Sequence, residues 1–434
     1  MNKTKNTDIQ SLKIYKFGGA SVKNADAVRN IAKIIANPSS PMIIVVSAMG
    51  KTTNALEKVV DSFFNGKQNI SALISEVENY HLEIIHQLFN EPSHKIFKEI
   101  DLFFYELREY CSKTPSLNYD FEYDQIVSYG EIISTKIIDA FINDNGIKSV
   151  WIDIRSCLKT TNHYRDANVL MEISKPIVIE KFNYKKHPVI FTQGFIGSTT
   201  ENITTTLGRE GSDFTGAILA NILNAQSLTI WKDVPGILNA DPKWFDNTEK
   251  LNHISYLEAI ELAYYGATII HPKTIKPLQN KNIPLFVKSF INPNDFGSVI
   301  NDNIDEDSRT PSFIFKMNQV LISIRPRDFS FIMEEALSEI FGFFAEYRLK
   351  INMMQNSALS FSVSVDYEER KIQEVINRLK EKYRILYNTG LELVTIRHYN
   401  QKTIDRVTIN KEILVEQKSR TTARFIMKDL SLIK

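Results

Sequence analysis

Met42-Ile43-Ile44-Val45-Val46 runs straight into Ser47-Ala48-Met49-Gly50. Five consecutive apolar residues ahead of a small-residue turn read as a strand buried on both faces, the habit of a parallel sheet. A helix is expected from about Asn54. One step upstream the same grammar appears. Leu12–Phe17 alternates as a strand, Lys16-Phe17-Gly18-Gly19-Ala20-Ser21 makes the turn, and Val28, Ile31 and Ile35 mark a helix face that stops before Pro38. A βαβα beginning predicts an α/β protein with a mainly parallel sheet sandwiched by helices.

Downstream, strands are expected at Ser149–Ile154, Val189–Thr192, Ser227–Trp231 and Pro284–Lys288, and helices at Ser255–Tyr264 and Pro272–Asn280. Residues from about 70 to 145 read instead as a helical insertion, with Ile84, Ile85 and Leu88 on one stripe. These elements place a first domain at 1–300. The stretch Asn292–Ser312 is rich in Asn, Asp, Pro and Ser, and the linker is set at 301–312. From 313 to 434 the pattern changes to βαββαβ, a ferredoxin-like unit. Its strands are Val320–Ile324, a short one near Lys350–Met353, Phe361–Val365 and Leu391–Ile396. Its helices carry the stripes Ile332–Tyr347 and Ile372–Leu379. Extra strands are expected at Val407–Ile409 and Thr422–Met427.

The 434 residues suit two to three domains, and 43% hydrophobic with 24% charged is ordinary for a soluble globular chain. Lys plus Arg (52) nearly cancels Asp plus Glu (51), so no global field favours nucleic acid or an acidic membrane. No apolar run approaches membrane-spanning length, and the N-terminus has no signal core. Cys111 and Cys157 are the only cysteines and form no CxxC, which suits a reducing cytoplasm. The histidines lack metal-ligand spacing, so no metal site is assigned to protein ligands, and His81 and His86 are expected at the surface.

The chemistry concentrates at the ends of strands, where open α/β sheets bind ligands. Between Gln193 and Trp244 lie Gly194-Phe-Ile-Gly197, Gly208-Arg-Glu-Gly-Ser-Asp213, Lys232-Asp-Val-Pro-Gly236 and Asn239-Ala-Asp-Pro242. Lys16 beside Gly18, Gly19 and Ser21 can neutralise a phosphate that backbone donors cradle. Gly50-Lys51-Thr52 imitates a Walker A ending, but the earlier glycine falls at Val45, and the P-loop reading fails. Ser47, Thr53 and Asn54 offer polar groups to a small ligand or cap a helix. Glu131, three residues after Ser128, is either a capping-box acid or the partner of a substrate ammonium. Ser212 and Asp213 stand where an N-cap is wanted. Arg209, with five fixed donors in a glycine loop, suits a carboxylate or phosphate. Asp233 is a turn residue or a ligand for a sugar hydroxyl or metal.

Together these motifs resemble those of aspartate kinases in the amino-acid kinase family, over nearly the whole chain. Lys16-Phe-Gly-Gly-Ala-Ser21, Val45-Val-Ser-Ala-Met49 through Thr53-Asn54, Ser128-Tyr-Gly-Glu131, Gly194-Phe-Ile-Gly197, Gly208–Asp213, Asp233-Val-Pro-Gly-Ile237 and His271-Pro272 fall in family order. The βαββαβ end resembles the family's ACT regulatory module. The resemblance implies ATP- and Mg²⁺-dependent phosphorylation of the β-carboxylate of L-aspartate to 4-phospho-L-aspartate, the first step towards lysine, threonine and methionine. It implies catalytic roles for Lys16 and Asp213, and substrate contacts from Ser47, Thr53, Glu131, Arg209 and Ser212. Nucleotide contacts are implied for Gly18, Gly19, Ser21, Lys232, Asp233, Ile237 and Lys243.

The chain departs from the family at Ala20, at Lys232 (usually Thr), at Lys243 (usually Arg) and at Thr268 (often Lys). Asn352, Gln355, Asn356 and Ser357 occupy the segment where ACT modules hold an amino-acid effector, lysine or threonine, and Ala358 replaces an acidic residue. A homodimer through ACT domains is expected, and the length leaves no room for a fused second enzyme. The alternatives are a glutamate-type carboxylate kinase and a catalytically silent ACT sensor.

Overall fold

The computed structural model describes residues 11–430, apart from 37–39, 67–68, 268–269 and 329. Two compact units emerge. The first takes residues up to Ile237 with Lys250–Ile260 and Ile270–Ile304; the second takes Leu238–Glu249, Glu261–Ile269 and the chain from Asp305 on.

In chain order the first part contains β1 (Lys13–Phe17), α1 (Ala25–Ile35), β2 (Met42–Val46), α2 (Thr52–Phe64), α3 (Ile70–Leu88), α4 (Lys95–Cys111), α5 (Tyr119–Asp144), β3 (Val150–Ile152), α6 (Met171–Lys181), β4 (Val189–Gln193), β5 (Ile196–Ser198), β6 (Thr204–Thr206), α7 (Gly211–Leu223) and β7 (Ser227–Lys232). Then come β8 (Ile237–Leu238), β9 (Lys250–Leu251), β10 (His253–Ser255), α8 (Tyr256–Tyr265), α9 (Pro272–Gln279), β11 (Leu285–Ser289) and β12 (Ser298–Asn301). Eight strands form one sheet in the order β10-β12-β11-β7-β1-β2-β4-β3, parallel throughout except for β11 against β12. The expected α/β architecture is therefore present. β12 arises inside the polar stretch after Asn292, where the sequence suggested no strand.

All of β2 is buried, as its unbroken apolar run requires. α3, α4 and α5 pack into the core with it, through Ile84, Ile100, Phe104, Ile137 and Ile138 among others. His81 corrects one expectation. It is fully buried, because it shares the helical stripe of Ile74, Val77, Ile84, Ile85 and Leu88. Its Nδ1 donates to the Val77 carbonyl at 2.7 Å, and burial lowers its pKa to about 4. His86 is exposed. None of the described helices is long and apolar enough to cross a membrane.

The second unit carries an antiparallel sheet in the order β14-β15-β13-β16-β18-β17. Its elements are β13 (Ser312–Pro326), α10 (Glu334–Glu346), β14 (Ile351–Ser357), β15 (Ser360–Asp366), α11 (Glu369–Lys380), β16 (Tyr383–Arg397), α12 (Gln401–Thr408), β17 (Lys411–Lys418) and β18 (Thr422–Asp429). The βαββαβ pattern is present through the later part of β13 and the earlier part of β16. Both strands are 15 residues long and continue past a register shift between Lys316 and Gln319. Beyond it, the other halves of β13 and β16 join β18 and β17. The expected strand at Val407–Ile409 is instead the end of α12. Asn400 and Thr403 make a capping box that starts a helix, and Ile404 and Val407 form its buried face. The strand follows at β17.

Candidate active site

The sheet register builds the first half of the site. Lys16 lies between Val45 of β2 and Ile230 of β7, so its side chain leaves the sheet beside the start of α7. There Lys16 Nζ meets Asp213 Oδ1 at 2.6 Å, with both side chains nearly buried. Asp213 is in the first turn of α7 rather than at its N-cap, since the helix begins at Gly211. An acid there also faces the positive end of the helix. Glu210, in left-handed backbone (φ 55°), precedes the helix, and its Oε2 accepts the His271 N–H at 2.8 Å. His271 Nδ1 in turn caps α9 at the Lys273 N–H.

Glycine is required where the loops touch. A Cβ on Gly19 would meet the Gly50 carbonyl oxygen at 2.8 Å, which joins the turns after β1 and β2. A Cβ on Gly194 would meet Ser212 Cβ at 2.5 Å, so the turn after β4 fits directly against the start of α7.

These turns enclose a cleft of about 490 Å³ within the first unit. Lys16, Gly19, Ser47, Thr53, Glu131, Arg209, Ser212, Asp213 and Lys232 line it, all of them expected from sequence. Glu131 sits inside α5, not at a cap; it is 3% exposed and its Oε2 has no hydrogen-bond partner. Burial raises its pKa to about 8, against the pull of Lys16 and the Ala48 amide. Its unsatisfied oxygen in a polar cleft is suited to receive a cation, which would draw the group towards its ionised form. Arg209 is exposed at the rim.

Other expected residues are placed differently. Gly18 and Ser21 do not line the cleft. Ser21 is buried and donates to the Trp231 carbonyl at 3.3 Å, tying the β1 turn to the end of β7. Asp233 is exposed and off the cleft wall, and Ile237 is buried with its N–H donating to Ser298 Oγ at 2.8 Å. Lys243 belongs to the second unit, in a turn where its N–H donates to Asp241 Oδ1. Thr268 lies outside the described residues. The cleft also has walls given no role from sequence: Tyr123 and Arg165, which no motif contains, and Phe195 and Glu210, which lie inside two of the motifs.

In the second unit, Asn352, Gln355, Asn356 and Ser357 all lie on β14, an edge strand. Asn352 is already committed: its Nδ2 donates to Gln319 and Asp366 (2.9 Å each) and its Oδ1 accepts from Lys316 at 2.7 Å. Gln355, Asn356 and Ser357 are exposed.

Among the described residues no group of three or more His, Cys, Asp or Glu side chains could hold a metal ion. Among the described residues there is thus no all-protein cage for Mg²⁺, an ion usually held by one or two carboxylates together with substrate phosphates.

A model of the amino acid kinase family matches residues 11–289. Lysine-sensitive aspartokinase 3 of Escherichia coli (strain K12) is 27% identical over 401 residues, which cover 88% of this chain and 86% of that protein. Aspartokinase 2, chloroplastic, of Arabidopsis thaliana is 29% identical over 392 residues, 85% of this chain and 69% of its own. Among solved structures, E. coli aspartokinase III in complex with aspartate and ADP (R-state) superposes with a TM-score of 0.80 at 24% identity, covering 96% of both chains. The same enzyme in complex with lysine and aspartate (T-state) also gives 0.80 at 24% identity, covering 97% of this chain and 96% of that one. At that identity the structural likeness is one of fold.

Proposed function

The chain belongs to the amino acid kinase family, and on that premise we propose that it phosphorylates the β-carboxylate of L-aspartate with ATP, giving 4-phospho-L-aspartate and ADP. The observation that carries this reading is the buried Lys16–Asp213 pair in the same cleft as the unpartnered Glu131 Oε2 and the exposed Arg209. The cleft therefore offers separate partners to each charge of an amino-acid dicarboxylate. Its relatives are aspartokinases by name, in E. coli and in A. thaliana.

In the proposed reaction an oxygen of the β-carboxylate forms a bond to the γ-phosphorus, and the bond from that phosphorus to the leaving ADP oxygen breaks. The attacking carboxylate is already ionised near neutrality, so no proton has to be removed first. The task left to the protein is to bring two anions together and to balance charge in the transition state. Lys16 neutralises the phosphoryl group in flight, and Asp213 holds the Lys16 ammonium in place. Arg209 pairs with the substrate α-carboxylate and Glu131 receives its ammonium. Ser47, Thr53 and Ser212 supply short polar contacts beside them. Gly19 leaves the backbone close to the phosphates, and Lys232 adds a cation on the nucleotide side. Ser21 acts through the β1–β7 connection. Mg²⁺, where present, would arrive on the nucleotide phosphates, the usual way that ion is held.

The second unit is assigned a regulatory role. Its ACT-like sheet pairs with that of a second copy, and lysine or threonine binds along β14 through Gln355, Asn356 and Ser357. The E. coli relative is lysine-sensitive by name. A reducing compartment such as the cytoplasm agrees with two buried free cysteines.

The test is aspartate-dependent ADP release from Mg-ATP, with the acyl phosphate trapped as its hydroxamate and glutamate offered in competition. Turnover with aspartate is expected. No turnover, or preference for glutamate, would defeat the reading.

A further inference from the structure

Arg165 was marked by no motif, yet it lines the proposed substrate cleft. Its backbone is left-handed (φ 66°), a conformation that a side chain larger than glycine's keeps only when its surroundings enforce it. The enforcing group is Asp124 of α5, which is fully buried. Both of its oxygens accept the Arg165 N–H at 3.1 Å, and they also accept the Thr206 N–H at 2.8 Å and the Thr206 hydroxyl at 2.7 Å. A buried carboxylate is costly, and this one is used to fix one amide of a surface loop against α5 and β6. The fixed loop packs on the one that carries Arg209. A Cβ on Gly208 would meet the Arg165 carbonyl oxygen at 3.1 Å and Asp166 Oδ1 at 2.6 Å.

The Arg165 guanidinium rests on one face of α5. It lies 4.4 Å from the ring centre of Tyr123 and 5.7 Å from that of Tyr119, and its Nη1 lies 3.1 Å from Asp120 Oδ1. Its side chain is 45% exposed and that of Asp120 53%. Ion pairs this exposed are weak and easily exchanged for another anion. Within the cleft Lys16 is already matched by Asp213, so a second guanidinium near Arg209 adds to the positive charge that meets a dicarboxylate.

We infer that Arg165 is a second guanidinium contact for the amino-acid substrate, and that Asp120 competes with the substrate carboxylate for it. The inference rests on the proposed aspartate-binding function. It assigns Asp124 as a positioning residue, and Tyr123 as the surface along which the guanidinium moves between its two partners.

Two substitutions of opposite sign test it in the full-length protein. Arg165→Gln should raise KM for aspartate about tenfold, the effect of losing one charge-assisted hydrogen bond, while kcat falls less than about threefold. Asp120→Asn should lower KM for aspartate roughly two- to threefold by freeing the guanidinium. KM for ATP and the thermal midpoint should change little in either. An unchanged KM in Arg165→Gln overturns the inference. So does a rise in KM in Asp120→Asn that parallels Arg165→Gln, because a merely structural pair loses the same contact from either side. Calorimetric titration with L-aspartate separates the two levels. Binding without turnover sinks the kinase reading, and the same comparison is then made on Kd. Absence of binding sinks both.

Discussion

Lys16 Nζ lies 2.6 Å from Asp213 Oδ1, although one residue lies near the end of β1 and the other in the first turn of α7. The pair is nearly buried, so removing either partner strands a charge in the protein interior. Lys16→Ala should therefore lower kcat by roughly 100- to 1000-fold, the cost of losing one preorganised electrostatic contact. Asp213→Asn should also impair turnover by loosening the lysine. A steady-state assay that finds Lys16→Ala fully active refutes the role given to the pair.

Arg209 is exposed, and the proposed reaction gives it the substrate rather than the transferring group. Arg209→Ala should act chiefly on KM for aspartate, raising it by about 10- to 100-fold, as loss of a hydrogen bond to a charged group does. KM for ATP should stay within about twofold. A change confined to kcat would place Arg209 at the phosphoryl group instead.

The role proposed for Glu131 ties pH to both stability and binding. Its folded pKa is raised to about 8 from 4.5, mainly by burial. The folded state thus holds more protons than the unfolded one between those values, and stability from this group falls as pH rises through that window. Glu131→Gln removes the penalty, so its thermal midpoint should exceed that of the unsubstituted protein at pH 8, with the gap closing towards pH 4.5. The same substitution should weaken aspartate binding. In the unsubstituted protein, an incoming ammonium favours the ionised form, so aspartate binding near pH 7 should release a proton. Calorimetry in buffers of different ionisation enthalpy measures that release, and none at all would contradict the assignment.

Two glycines give a paired control on packing. A Cβ at Gly194 has Ser212 Cα and Cβ at 2.6 and 2.5 Å, so Gly194→Ala must displace the first turn of α7. It should lower stability by roughly 1–3 kcal/mol and raise KM for aspartate through Ser212. Gly342, within α10, has nothing within 4 Å of the added atom. Gly342→Ala should stabilise by about 1 kcal/mol from helix propensity and leave the kinetics alone. Denaturant unfolding distinguishes the two signs.

Much of this was legible in the chain because strand ends and glycine turns leave local marks. Apolar Met42–Val46 announced a sheet interior, and Lys16, Glu131, Arg209 and Asp213 stood in ordered motifs that the fold brings to one cleft. Arg165 left no such mark. Its loop, Asn162-His163-Tyr164-Arg165-Asp166, is ordinary in composition, and its position depends on a carboxylate of a distant helix. His81 is buried for a different reason: lack of metal-ligand spacing says nothing of burial, whereas its helical spacing from Ile74, Val77, Ile84 and Leu88 puts it on the buried side. The helix α6 leaves little trace in the sequence because Pro176 lies inside it and few of its residues are buried. The end of α12 reads as a strand in sequence because three residues, Val407–Ile409, are too few to show a period.

The central strand also governs how the molecule can be made. β1 finds one neighbour in β2, soon after it in sequence, and the other in β7, which comes late. Ser21 bonds the Trp231 carbonyl across the same long interval. While the chain emerges from the ribosome, β1 therefore waits with one row of amide and carbonyl groups unpaired until β7 has been synthesised. Such long-range pairings fold slowly and leave an open edge to other chains meanwhile. A fragment that stops before β7 is thus not a feeble version of the enzyme. It is a sheet with an open seam, and growing chains should need protection at that seam until the closing strand arrives.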